Sequence, residues 1–402
     1  MTAERPNRMN KTSQPRTFKP IHPFPARMDP IAAMEGLVSV AGRKLTVLDP
    51  MMGSGSIPVL AAFRGHEGFG FDLDPLALVL ARALALPLTD DFLATARQVQ
   101  REARRNEGLV TLDMDDETQS FVDYWFDAEV QARLGALAIA IARRDNGLQP
   151  ALWCAFSRLI ITKDAGASRA RDVSHSRPHV VRERAAIDPI ERYLASAELV
   201  ALRHGAARTL TARTGAIHLE RGDAKALPLP DRSVDRIATS PPYLQAIDYL
   251  RGHRMTLVWM GYSIRSLRDL RAESIGAERI LASAPEIEDA VAKVAPKGLS
   301  NRATGILRRY VFDLNGVIAE VARVLTKSGR ARFVVADATL EGHPVSIEKI
   351  VCFLAKRHAL ARARRQVRPL PDDRRYLPPP GDADGALDRR MRAEQLLTFA
   401  VA

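Results

Sequence analysis

Residues 234–243 read Val-Asp-Arg-Ile-Ala-Thr-Ser-Pro-Pro-Tyr. Val234, Ile237 and Ala238 predict a short buried strand with Thr239 at its carboxyl end, where open α/β sheets bind ligands. Ser240-Pro241-Pro242-Tyr243 follows as a stiff loop, because each proline fixes φ and Pro242 holds Pro241 extended. Such a loop suits a site that must keep one geometry. A second stretch, Asp49-Pro50-Met51-Met52-Gly53-Ser54-Gly55, lies between an apolar strand over 45–48 and a helix from about Ile57. Gly53 and Gly55 let the backbone approach a ligand and take positive φ. The helix N-terminus behind them suits an anionic group. A third stretch, Gly68-Phe69-Gly70-Phe71-Asp72-Leu73-Asp74-Pro75, predicts a second strand ending at Asp72. In nucleotide-binding sheets an acidic residue here, about 20 residues past the glycine loop, holds ribose hydroxyls. Asp74 is the alternative within the same turn, although Asp74-Pro75 also reads as a helix cap followed by a first-turn proline. The absence of Gly-Lys-Ser/Thr excludes a phosphate loop, and the missing third glycine weakens a dinucleotide fingerprint.

The elements that must position these residues can be read from the apolar spacing. Residues 217–219 predict another strand, followed by Gly222-Asp223-Ala224. A helix over 309–324, a turn at Lys327-Ser328-Gly329-Arg330 and a strand over 331–336 come later, then a helix over 345–357 and a last strand over 395–401. Residues 85–214 interrupt the strand–helix alternation with helical spacing at 91–106, 128–144, 149–163 and 188–214, which predicts an inserted helical subdomain. Four segments result: a basic disordered arm over 1–20, a first catalytic part over 21–84, the insertion over 85–214, and a second catalytic part over 215–402.

The composition narrows the partners. The chain has 402 residues, 46% hydrophobic content and a formal net charge of +12, with a pI of about 10.0. That charge favours a polyanion, nucleic acid first. Arg169, Arg171, His175, Arg177, His179, Arg182 and Arg184 mark a candidate DNA-contacting loop within 164–184, against the plainer reading of a solvated connection. A second candidate patch is Arg362, Arg364, Arg365, Arg368, Arg374 and Arg375, read as an arginine-rich connection. Residues 264–305 are mixed and charged, a further candidate DNA-facing stretch. Cys154 and Cys352 stand far apart without ligand spacing, which argues against a disulfide framework or a zinc module and fits a cytoplasmic protein. His175 and His179 lack carboxylate support, so no metal is expected. No apolar run is long enough to predict a membrane span.

In order, these stretches resemble the motifs of the amino-methylating DNA methyltransferases. Ser240-Pro241-Pro242-Tyr243 resembles motif IV, in the Ser form of the cytosine-N4 subgroup; the adenine-N6 members more often carry Asp or Asn. Residues 21–30, Ile-His-Pro-Phe-Pro-Ala-Arg-Met-Asp-Pro, resemble motif X, which places Phe24 beside the cofactor. The Asp49–Gly55 stretch resembles motif I, which wraps the methionine end of S-adenosylmethionine. Met52 and Ser56 depart from the cysteine and threonine common there, without removing backbone contacts. Asp72 takes the ribose role of motif II, and Asp223 resembles the motif III acid that accepts from the adenine amino group. The order X, I, II, III, IV is nearest to the gamma arrangement.

The resemblance implies an α/β fold of class I methyltransferase type: a Rossmann-like, mostly parallel sheet with a last antiparallel strand. It implies S-adenosylmethionine held by Phe24, Asp49, Pro50, Gly53, Ser54, Gly55, Asp72, Asp223 and Thr239. It implies catalysis by Ser240, Pro241, Pro242 and Tyr243 on a base flipped out of double-stranded DNA. An exocyclic amine donates its lone pair into the ring, so acceptors on its N–H groups, here the Ser240 hydroxyl and Pro241 carbonyl, can free that pair for attack. Tyr243 offers a π-face to the base. Adenine-N6 methylation of DNA and guanine-N2 methylation of RNA stand as alternatives, and a cognate restriction endonuclease as a possible partner. Asp248, Arg251 and Arg254 are expected near the pocket mouth, and Trp259 and Met260 in the core.

Overall fold

The computed structural model describes residues 19–23, 28–38, 42–88, 90–145, 147–163, 165–171, 173, 178–208, 215–244, 249–277, 284–369 and 393–402. Up to Ala85 strand and helix alternate: α1 (Pro30–Met34), β1 (Thr46–Asp49), α2 (Ser56–Phe63), β2 (Glu67–Asp72) and α3 (Pro75–Ala85). Asp29 caps α1 and Asp74 caps α3, each followed by a proline whose missing N–H would be unpaired there anyway. A helical block follows: α4 (Asp90–Asn106), α5 (Asp116–Trp125), α6 (Ala128–Ala142), α7 (Gln149–Ile160) and α8 (Pro189–Arg208). Alternation resumes with β3 (Ile217–Arg221), β4 (Val234–Thr239), α9 (Tyr249–Leu257), α10 (Ile264–Glu273), α11 (Pro285–Val294), α12 (Asn301–Val324) and β5 (Leu325–Val335). The chain closes with β6 (Ala338–Leu340), β7 (His343–Val345), α13 (Ile347–Arg357), β8 (Leu360–Pro369) and β9 (Ala393–Val401).

Among the described residues, seven strands form one sheet in the order β3-β2-β1-β4-β5-β9-β8. β3, β2, β1, β4 and β5 run parallel, and β9 is antiparallel to both β5 and β8. This is the α/β sheet the resemblance implies. Central parallel strands are buried on both faces, and β1 shows it: Val47 enters one core and its neighbour Leu48 the other. The first core joins β1 to α2, α3 and the helical block, with α7 packed on α3. The second joins the opposite face to α11, α12 and α13.

Three sequence expectations need correction. Lys327–Arg330 is not a turn before a strand: β5 starts at Leu325, and Val234 faces Leu325 while Arg236 faces Arg330, so residues 326–329 bulge within the strand. The arginine-rich segment after α13 is not a connection but the edge strand β8, paired along its length with β9. Alternating arginines on an edge strand hinder pairing with another chain. Lastly, the helix expected from 309 begins at Asn301, capped by the Ser300 hydroxyl, which accepts from the Ala303 N–H at 3.1 Å. α5 is a helix that apolar spacing alone does not announce, being short, acidic at its start and capped by Asp115. Trp259 is buried edge-on to Phe126, and Met260 is half-buried against the same core. No helix among the described residues is long and apolar enough to cross a membrane.

Candidate active site

Because β1, β2, β3 and β4 are parallel, their carboxyl ends open on one edge of the sheet, and the candidate residues meet there. A cavity of about 580 Å³ is lined by Asp49, Pro50, Gly53 and Ser54 after β1, Asp72 after β2, Asp223 after β3, and Ser240, Pro242 and Tyr243 after β4. Gly55, Thr239 and Pro241 are not among its lining residues. Phe24 lies outside the described residues, as does Asp248.

The glycine loop is tied down on three sides. The Met51 N–H donates to Asp49 Oδ1 at 3.1 Å, the Gly53 N–H to Asp72 Oδ2 at 2.8 Å, and the Met52 N–H to the Phe71 carbonyl at 2.9 Å. Gly53 and Gly55 take φ of 51° and 74°, the left-handed region that suits glycine. Gly55 is needed for a second reason: a Cβ there would stand 2.4 Å from the Ala81 Cβ on α3. The Thr239 hydroxyl donates to Asp49 Oδ1 at 2.7 Å and so fixes the end of β4 to the end of β1. Thr239 thereby positions Asp49 and the start of the Ser240 loop together.

Asp49 is the most confined of the acids. It is 1% exposed, and its Oδ2 has no hydrogen-bond partner among the described residues. Burial lifts its carboxyl from the ordinary 3.8 to about 7; repulsion from Asp72 adds to this, while the Thr239 and Met51 hydrogen bonds oppose it. Burial likewise lifts Asp72 to about 6, helped by repulsion from Asp74. Asp72 Oδ1 accepts from the Asp74 N–H at 3.0 Å. Asp74 also lines the cavity, and both its oxygens are engaged: Oδ1 caps α3 by accepting from Leu76 at 2.9 Å and Oδ2 meets Nδ1 of His253. Asp223 accepts from the Lys225 N–H at 2.9 Å, and Lys225 Nζ reaches the Glu273 carbonyl at 2.8 Å. That contact draws the end of α10 over the Asp223 side of the cavity.

Several lining residues carry no motif signal. Tyr249, Arg268, Arg271, Arg309 and Tyr310 come from three separate helices and meet only in three dimensions, beside Met28 from the segment before α1. Tyr310 has core spacing on α12; it is buried, and burial together with Tyr243 pushes its hydroxyl well above the usual tyrosine range. Arg251 lines the cavity as expected, whereas Arg254 does not: its guanidinium stacks 4.9 Å from the Phe121 ring centroid on α5. The segment before α1 is held by the helical block. Arg158 donates to the Ile21 carbonyl at 2.8 Å, and the buried His22 bonds through Nε2 to the Ser157 hydroxyl at 3.0 Å.

The two basic stretches fare differently. Arg169 donates to the Asp123 carbonyl at 3.1 Å, and Arg171, His179 and Arg184 are exposed; His175 and Arg177 lie outside the described residues. In the later run, Arg362 and Arg365 pair with Glu348, and Arg368 with Asp29 and Glu394. Those three are held by internal carboxylates, Arg364 is exposed, and Arg374 and Arg375 lie outside the described residues. Among the described residues no three His, Cys, Asp or Glu side chains cluster in a way that could hold a metal ion.

No family model matches the chain, and neither does any curated protein. Among solved structures the chain is similar to a protein from Thermus thermophilus provisionally named a DNA modification methylase, at 18% identity and a TM-score of 0.23. The match covers 44% of this chain and 50% of that one, so the chain spans about half the length of the structure it matches. A likeness of that size adds nothing to the geometry above.

Proposed function

We propose that the chain is an S-adenosylmethionine-dependent DNA methyltransferase that modifies the exocyclic N4 amine of a flipped cytosine. One observation carries the reading: the Ser240–Tyr243 loop opens into the same cavity as the Asp49 loop, Asp72 and Asp223. S-adenosylmethionine fits the acidic side. Its cationic methionine end suits the buried Asp49, whose Oδ2 lacks a partner among the described residues, because a buried carboxylate is costly unless paired. Asp72 would hold the ribose, and Asp223 the adenine amino group. When bound, the cofactor supplies an electrophilic methyl on a sulfonium.

The chain's own residues do the rest by positioning. The Ser240 hydroxyl accepts from the target amine and directs its lone pair, while Tyr243 packs on the face of the extruded base. No covalent enzyme intermediate is required. The Ser form of the loop favours cytosine N4 over adenine N6.

The test is mass spectrometry of nucleosides from DNA and RNA incubated with the protein and S-adenosylmethionine. N4-methylcytosine in DNA is the expected product. N6-methyladenine would keep the mechanism and overturn the base assignment, and methylguanosine in RNA with unmodified DNA would sink the DNA reading. Tyr243→Ala should abolish transfer with little change in cofactor affinity; equal loss of both would count against the role given to Tyr243.

A further inference from the structure

The cavity is electrostatically two-sided. Its sheet side carries Asp49, Asp72 and Asp223, and its helical side carries Arg251 from α9, Arg268 and Arg271 from α10, and Arg309 from α12. Arg251 and Arg309 are half-buried within it, whereas Arg268 and Arg271 are exposed at its rim. The cations therefore run from solvent inward along one wall.

Arg309 is the informative member. Its neighbour Arg308 forks onto Glu288 with contacts of 2.5 Å and 3.0 Å. Arg309 lies one residue on, yet its Nε is buried with no hydrogen-bond partner among the described residues, and no carboxylate there pairs with it. A buried donor left unpaired is costly. An arginine held this way inside a ligand cavity is suited to an acceptor brought by the ligand. The cavity thus has an unpaired acceptor on one side, Asp49 Oδ2, and an unpaired donor on the other, Arg309 Nε.

We infer that Arg309, with Arg271 at the rim, binds the backbone phosphates flanking the nucleotide whose base enters the cavity. This rests on the methyltransferase reading and extends it: the acidic wall takes the cationic cofactor, and the arginine wall takes the polyanionic strand. Arg268 is paired with Glu117, but Arg251, Arg271 and Arg309 still converge, which suits a phosphodiester better than a neutral base edge, because guanidinium forks match phosphate oxygens and each cation removes one condensed counterion. Arg309 is on this account a positioning residue that sets how far the strand enters.

The test is duplex binding as a function of salt. A short fluorescein-labelled DNA duplex is titrated with the wild type, Arg309→Gln, Arg309→Lys, Arg271→Gln and the control Arg308→Gln. Loss of either phosphate contact should weaken binding and lower the slope of log K against log salt by about 0.9. Arg309→Lys should keep most of the slope, Arg308→Gln should leave it unchanged, and S-adenosylmethionine affinity should stay constant in all. An unchanged slope for Arg309→Gln overturns the proposal. So does an unchanged slope with relaxed sequence preference, which would make Arg309 a reader of the base edge. A wild type that does not bind duplex DNA also overturns it. If the slopes fall as expected but no methylated nucleoside forms, the phosphate site stands and the methylation reading fails.

Discussion

Replacing Asp49 by Asn removes one buried charge and little else. Oδ1 already accepts both the Met51 N–H and the Thr239 hydroxyl, and the amide oxygen can keep both. The amide nitrogen inherits the position of Oδ2, which has no partner among the described residues, so that cost is the same at every pH and cancels from a pH comparison. In the folded chain the Asp49 carboxyl is lifted from 3.8 to about 7. The folded state therefore binds more protons than the unfolded state between those values, and stability falls as pH rises through that window. At about pH 7.5 the penalty is at most about 4 kcal/mol, and at about pH 4.5 about 1 kcal/mol. The variant escapes this titration, so its advantage over the wild type should grow by up to about 3 kcal/mol between those pH values. With 402 residues and about 2.1 cal/mol/K per residue, that is a gain of about 3–4 °C in Tm relative to the wild type. The assay is paired differential scanning calorimetry at the two pH values, without and with S-adenosylmethionine. The cofactor should raise the wild-type Tm at the higher pH and the variant's much less. A Tm difference that is the same at both pH values would refute the buried-charge argument, and an equal response to cofactor would refute the role given to Asp49.

Two further outcomes test what holds the site in place. Gly55→Ala puts a Cβ 2.4 Å from the Ala81 Cβ and 2.8 Å from its Cα at a φ of +74°, so a loss of about 3 kcal/mol or failure to fold is expected. Gly108→Ala, at a similar φ of +72° with nothing within 4 Å, should cost only about 1 kcal/mol; equal melting shifts would rule out the α3 contact as the reason for Gly55. Arg332→Met should cost about 2–4 kcal/mol in a denaturant titration, since Arg332 is 1% exposed and donates to the Ala33 and Glu35 carbonyls at 3.0 Å and 2.7 Å. Arg365→Gln, which breaks only an exposed pair with Glu348, should stay within about 1 kcal/mol of the wild type. If the two arginine variants unfold alike, α1 is not anchored through Arg332.

The sequence by itself determined the parallel strands at the centre of the sheet and the edge on which the candidate site lies. Strands at 45–48, 217–219 and 234–239 are short apolar runs ending in Asp, Gly or Thr, and local spacing suffices to find them. The glycines at 53 and 55 and the prolines at 241 and 242 signal loop geometry because their backbone constraints are intrinsic. Helices such as α4, α6, α7 and α8 were legible for the same reason, each carrying its own apolar face. Only the tertiary structure decided which polar residues face the cavity. Asp72 and Asp74 stand two residues apart with equal chemistry and both line the cavity, yet their partners differ: His253 arrives from α9 to engage Asp74, while Asp72 ties down the glycine loop through the Gly53 N–H. Arg251 and Arg254 share one helix, yet one lines the cavity and the other stacks on Phe121. Arg308 and Arg309 are adjacent, and the carboxylate of Glu288 on α11 separates their fates. The arginines after α13 read as a phosphate-binding run, but Glu348, Asp29 and Glu394 claim three of them. In each case the deciding partner lies far along the chain, in an element whose docking is set by apolar burial. Local residue types state what a side chain can bind; long-range packing decides what it meets.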